Sequence, residues 1–164
     1  MIYVVSFLFA AAIVAADQLL KAFVSGALAL GQVRSLLPGI VHLTYVRNEG
    51  MSFSLLSGAR WFFVVMTLLV IALAIFAVVR RWVAGPFGLL SLAAVLGGAV
   101  GNLIDRVRFG YVVDMLEVEF MHFAVFNLAD IFVVCGGIAF CIWGVFFWKD
   151  PREAGGRRPP EEQA

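Results

Sequence analysis

Long apolar runs alternate along the chain with short stretches in which charge, Pro and Gly collect. A bilayer core takes about 20 predominantly apolar residues of helix. Four runs reach that length: Ile2 to about Val24, Trp61 to Val79, Pro86 to about Ile104, and Ile131 to Trp148. The pattern predicts an all-α polytopic membrane protein whose four transmembrane helices, at about 2–24, 61–79, 86–104 and 131–148, form one domain over residues 1–149. The first run sits where a cleaved leader would, but no positive n-region precedes it and its apolar stretch is too long for an h-region. It also carries Asp17 and Lys21 near its far end. Residues 150–164, with their Pro, Gly and charge, read as a flexible tail.

Composition agrees with this reading. The hydrophobic share is 63% over 164 residues and the mean hydropathy is +0.99, far above the roughly half-apolar makeup of a soluble domain. The net charge of +1 hides a sorted distribution, with charges collected between the spans, so nucleic-acid binding has little support. Cys135 and Cys141 lie six positions apart in the last apolar run, poorly placed for a disulfide, and read as helix-packing residues. His42 and His122 have no second His at metal-ligand spacing, so neither a zinc site nor another cofactor is expected.

Charge also orients the spans. Arg80 and Arg81 sit in the short connection between spans two and three, and Lys149 follows span four, so the positive-inside rule makes these regions, and both termini, cytoplasmic. The raw Lys and Arg count is six on each face, so the assignment discounts Lys21 and Arg106 as span-end residues within motifs. Whichever face is inside, the connections 25–60 and 105–130 emerge on the same one. Asp17, Lys21, Asn48, Asn102, Asp105, Arg106, Asp114, Asn127 and Asp130 all lie in or beside these two connections. In the first, Val33 to Tyr45 is apolar and β-branched around Pro38-Gly39, which predicts one or two short strands on the membrane surface. In the second, residues 107–126 mix Asp114, Glu117 and Glu119 with Phe109, Tyr111, Met121 and Phe123. That suits an interfacial segment with aromatic anchors, and the pattern selects neither helix nor strand.

Asp114 and Asp130 are the leading candidates for chemistry. An ionisable group at the edge of a membrane-length segment is expensive, and by default it marks a functional site. Two carboxylates brought together in a partly dehydrated site cannot both ionise cheaply, so one keeps a proton and the pair offers an acid and a base. A structural role or a proton relay is the alternative. Asp17 and Lys21, at i and i+4, are either a self-neutralising interfacial pair or place Asp17 to orient groups near the site. Asp105 and Arg106 are either a structural pair or leave the guanidinium free to bind a carbonyl or fix a carboxylate. The G-x-x-x-G spacing of Gly97 and Gly101 allows close helix approach. H-E-x-x-H, G-x-S-x-G and G-x-G-D are all absent, so any hydrolysis here has to use aspartates.

Four motifs in order resemble those of the lipoprotein signal peptidase (signal peptidase II) family of the bacterial envelope: D-Q-L-L-K at 17–21, N-E-G-M-S-F-S at 48–54, G-N-L-I-D-R-V-R-F-G-Y-V-V-D at 101–114, and F-N-L-A-D at 126–130. The resemblance implies a four-helix aspartic endopeptidase of the bacterial inner membrane, with a small extracytoplasmic β-element after the first helix and the site near the extracytoplasmic face. It would cleave diacylglyceryl-modified prolipoproteins just before the lipidated cysteine. It further implies a catalytic pair at Asp114 and Asp130, contacts from Asn48 and Arg106 to the substrate backbone or a bound inhibitor, and supporting roles for Asp17, Lys21, Asn102, Asp105, Asn127 and Ala129. Prolipoprotein substrates and membrane lipid are the expected partners of a monomeric, metal-free enzyme. Ser52 and Met115 depart from the family pattern beside the expected site and could tune its groove. Rival readings are a small proton-coupled transporter subunit with the aspartates as a relay, and a membrane scaffold. The first predicts ionisable residues at mid-span, which spans two and four lack.

Overall fold

The computed structural model describes residues 1–50 and 59–148. In chain order these form α1 (Ile2–Ala27), β1 (Val33–Leu37), β2 (Val41–Asn48), α2 (Arg60–Val79), α3 (Gly85–Phe109), β3 (Val112–Val118) and α4 (Leu128–Phe146). All four helices are long and apolar enough to cross a membrane. They satisfy their backbone polar groups internally, and side chains such as Phe7, Leu69 and Val145 face outward, where hydrocarbon would take them. The chain is a multi-pass membrane protein. Two helices run past their expected ends, α1 to Ala27 and α3 to Phe109, because a bilayer-length criterion ends a span without ending the helix.

α3 is the central helix: 56% of its most apolar window is buried, against 6% for α2. Small residues put it there. A Cβ on Gly97 would lie 3.0 Å from the Ala10 carbonyl oxygen, and one on Gly101 would lie 2.6 Å from Asp17 Oδ2, so the G-x-x-x-G face receives α1. Gly98 lies between them and faces the other way, where a Cβ would run into the Ala129 carbonyl of α4. The first turn of α4 and the Asp17 end of α1 are thereby drawn to the same stretch of α3.

The three strands form an antiparallel sheet in the order β1-β2-β3, and the expected turn at Pro38-Gly39 joins the first two. The third strand comes from the connection that the pattern left undecided. α3 stops at Gly110, whose φ of 87° is left-handed and whose N–H closes on the Arg106 carbonyl at 3.1 Å, and the chain turns there into β3. Leu43 pairs with Leu116 and Val46 with Asp114, so Thr44 and Tyr45 together stand opposite Met115. That bulge shifts the alternation of β2 and puts Val46 and Asn48 on the Asp114 face. On the other face, Val113 and Met115 pack against Val24, Leu28 and Tyr45.

Three expectations change. Met115 is fully buried between sheet and α1, because the period of two turns it away from Asp114, so it does not line a groove. Cys135 and Cys141 are exposed on α4 and do not pack between helices. α4 begins at Leu128 rather than Ile131, held by a capping box in which Asn127 and Asp130 satisfy each other's backbone N–H groups. Ser52 lies outside the described residues.

Candidate functional site

The site begins in a buried ion cluster between α1 and α3. Lys21 Nζ lies 2.8 Å from Asp17 Oδ2 and 3.1 Å from Asp105 Oδ2, with exposures of 3%, 0% and 1% for the three side chains. The i, i+4 pair is therefore not a self-contained interfacial pair. Its remaining oxygen, Asp17 Oδ1, accepts the N–H of Ala129 at 3.0 Å and ties α1 to the first turn of α4. Gln18 Nε2 donates to Asp105 Oδ1 at 2.9 Å and to the Gly101 carbonyl at 3.1 Å. Asp105 Oδ2 accepts the N–H of Val113 at 3.1 Å and so anchors β3 to α3. Asp105 pairs with Lys21, and the alternative of an Asp105–Arg106 pair is set aside.

Amides carry this cluster to the two candidate aspartates. Lys21 Nζ donates to Asn102 Oδ1 at 2.8 Å, and Asn102 Nδ2 donates to Asp130 Oδ1 at 2.7 Å. Asn127 Nδ2 bridges Asn102 Oδ1, at 3.1 Å, and Asp114 Oδ1, at 2.7 Å. Asn48 Nδ2, aimed by the bulge, donates to Asp114 Oδ2 at 2.8 Å, and the Asn127 backbone N–H donates to Asp130 Oδ2 at 3.2 Å. Each oxygen of both carboxylates thus accepts one hydrogen bond.

Asp114 and Asp130 line one cavity of about 300 Å³, with Asn48, Asn102 and Arg106 and apolar walls from Phe63, Val112 and Val133. Burial pushes the Asp114 carboxyl up to about 6; the nearby Asp130 adds to the rise, while hydrogen bonds from Asn48 and Asn127 oppose it. Arg106 stacks its guanidinium 5.0 Å from the Phe63 ring centroid and donates to the Gly50 carbonyl at 3.3 Å. Among the described residues no carboxylate lies within 4.0 Å of it, which leaves donors for another acceptor. No group of three His, Cys, Asp or Glu side chains able to hold a metal occurs among the described residues. Two carboxylates, one of them pushed up by burial, and a guanidinium with no carboxylate partner among the described residues can supply an acid, a base and an electrophile in a partly dehydrated cavity.

Asp17, Lys21, Asn48, Asn102, Asp105, Arg106, Asp114, Asn127 and Asp130 all lie in this network or line this cavity. The sequence reading missed Gln18, Phe63 and Thr67. Gln18 could have been found as a third polar side chain in an otherwise apolar stretch, and Thr67, the one polar residue of α2 after Arg60, marks the face of that helix that meets the site.

The chain is similar to known proteins in sequence and in fold. The sequence profile of the family described as signal peptidase (SPase) II matches residues 9–147. A lipoprotein signal peptidase of Streptococcus pyogenes serotype M2 is 44% identical over 133 residues, covering 80% of this chain and 88% of the relative. The serotype M5 relative of the same name is 43% identical over the same shares. Among solved structures, a bacterial membrane enzyme determined by the in meso method at 2.3 Å aligns with a TM-score of 0.82 and 26% identity, covering 96% of this chain and 93% of that one. A second such enzyme, at 1.9 Å, aligns with a TM-score of 0.80 and 28% identity over 87% of this chain and 94% of its own.

Proposed function

The chain belongs to the signal peptidase II family and is accordingly a membrane peptidase, and from that premise we propose that it removes the signal peptide of diacylglyceryl-modified prolipoproteins by an aspartate-dyad mechanism. The cut falls just before the lipidated cysteine. The observation that carries the mechanism is the meeting of Asp114, from a strand, and Asp130, from a helix N-terminus, in one cavity under a shared set of Asn donors. Asp130 is assigned the role of base: in the first turn of α4, the Asn102 side chain and the Asn127 backbone N–H donate to its two oxygens, so both are presented as acceptors. Asp114, on a strand and pushed up to about 6 by burial, is the member that protonates more readily and serves as the acid in its protonated form.

Asp130 takes a proton from a water as the water oxygen attacks the scissile carbonyl carbon, and Asp114 gives its proton to the carbonyl oxygen. Arg106 and Asn48 hold the substrate backbone in line. Collapse returns the hydroxyl proton to Asp114, passes the Asp130 proton to the leaving amide nitrogen, and breaks the C–N bond. Both termini are cytoplasmic and the site opens near the extracytoplasmic face, where a monomer meets its substrate. The test is cleavage of a diacylglyceryl prolipoprotein by purified protein in detergent with chelator present. Asp114→Asn and Asp130→Asn each abolish turnover in a folded protein; full activity in either variant, or strict metal dependence, would overturn the reading.

A further inference from the structure

A substrate of the proposed kind has three arms that meet at one residue: the signal peptide upstream, the mature chain downstream, and the acyl chains on the cysteine side chain. Around the two aspartates, the described residues leave three hollows that share walls. The cavity of about 300 Å³ already described is walled by the membrane helices α2, α3 and α4, with Asn48 of β2 and Val112 and Asp114 of β3 closing its sheet side. A second, of about 610 Å³, lies against β2, β3 and residues 119–125, and shares Asn48, Asp114 and Val125 with the first. A third, of about 350 Å³, runs beside the start of α4 and shares Asp130 and Val133 with the first.

Their chemistry differs. The second hollow mixes charge with apolar wall, Arg47, Glu117 and Glu119 standing beside Phe120, Met121 and Phe123. His42 contributes a rigid corner: its Nε2 lies 3.2 Å from Glu119 Oε2, which also accepts the Gly39 N–H at 2.7 Å. The third hollow has no charged wall residue but Asp130, and its Val134 and Cys135 are exposed toward the surrounding bilayer.

We propose that the three hollows divide the three arms, with the acyl chains along α4, the mature chain against the sheet, and the signal peptide entering beside α2 and α3. The division rests on the peptidase reading. Acyl chains have to stay in hydrocarbon, and the α4 groove is the hollow that is both apolar and open to it. The mature chain has to leave toward water, which a charge-bearing wall outside the spans permits and a lipid-facing groove does not. An apolar signal helix has to approach from within the bilayer, against the walls that membrane helices build. The scissile bond then falls where the hollows meet, between Asp114 on the sheet side and Asp130 on the α4 side.

The full chain carrying Asp114→Asn, as a non-turnover trap in lipid nanodiscs, is mixed with lipopeptides bearing a diazirine either within an acyl chain or on the third residue after the cysteine. Peptide mapping then locates the cross-links. The acyl probe is expected on residues 131–135 and the peptide probe on residues 117–123; an acyl label on the sheet, or a peptide label on α4, overturns the division. A kinetic arm reads ratios in the active enzyme. Cys135→Trp overfills the groove and lowers kcat/KM for long-chain relative to short-chain lipopeptides about tenfold. Glu117→Lys shifts the preference between Lys and Asp at that third residue by about fivefold. Crossed effects, or ratios that do not move, overturn the assignment. Failure of the unsubstituted chain to cleave any of these lipopeptides would instead remove the peptidase reading itself.

Discussion

Asp114→Asn is expected to inactivate the enzyme and, above about pH 6, to stabilise it. An Asp in an unfolded chain ionises near 3.9, whereas burial holds Asp114 at about 6. Between those values the folded protein binds a proton that the unfolded chain has released, so this group penalises folding progressively as pH rises. Below about pH 4 both forms are protonated and there is no penalty. Above about pH 6 it is complete, and two pH units correspond to about 3 kcal/mol. Asn carries no charge and escapes this cost. It has only one acceptor oxygen, however, so one of the two donors that reach Asp114, Asn48 Nδ2 or Asn127 Nδ2, loses its partner. That loss costs about 1 kcal/mol.

The net change runs from slightly destabilising below pH 4 to about 2 kcal/mol stabilising at pH 7.5, where it appears as a rise in Tm of about 4 to 8 °C for a chain of this size. Thermal unfolding of the wild type and the variant, measured side by side in one detergent from pH 4 to 8, reads the difference directly. A constant Tm difference across that range, or a lower Tm for Asn at pH 7.5, would refute the claim that an ionised Asp114 is held against its desolvation.

Lys21→Met removes the one cation between Asp17 and Asp105 and leaves two buried carboxylates unpaired, which is expected to cost about 3–5 kcal/mol and to show as loss of the monodisperse folded fraction on gel filtration. Asn48→Ala removes a hydrogen bond that favours the charged form of Asp114, so the alkaline limb of the kcat/KM profile moves to higher pH and the rate falls about tenfold. Gly101→Ala sets a methyl group against Asp17 Oδ2, and the overpacking lowers stability by about 1–3 kcal/mol in thermal unfolding.

The helices were legible because each is announced by a single long run of one residue class, a signal local to the run. The third strand was not: Val112–Val118 is a strand because β2 pairs with it, and β2 lies some 66 positions earlier, as the Asn48–Asp114 hydrogen bond records. The start of α4 was legible and was passed over, since N-L-A-D is a capping-box spacing. Asp17 and Lys21 declared themselves as a pair through i, i+4 spacing. Asp105 could join them only once the glycines of α3 let α1 approach, and no count along one helix reports contact with another. The side taken by Met115 followed from period two once Asp114 was known to face the cavity, but period two has no meaning until a strand is assigned.

The ion cluster also fixes an orientation that spacing cannot express. The Asn102 side chain has one accepting end and one donating end. Its oxygen faces the Lys21 ammonium and the Asn127 amide, both donors, so a turned amide would set three donors against one another inside the protein. The nitrogen of Asn102 therefore faces Asp130, and that carboxylate receives a donor that cannot be exchanged for an acceptor. The amides of Asn48 and Asn127 that serve Asp114 are oriented by other partners. Asn127 spends its own oxygen on the Asp130 N–H, and Asn48 spends its on the Gly50 N–H. Lys21 thus fixes, through Asn102 and without touching either carboxylate of the dyad, the donor that Asp130 receives, while the burial of Asp114 supplies the other half of the proposed division into base and acid.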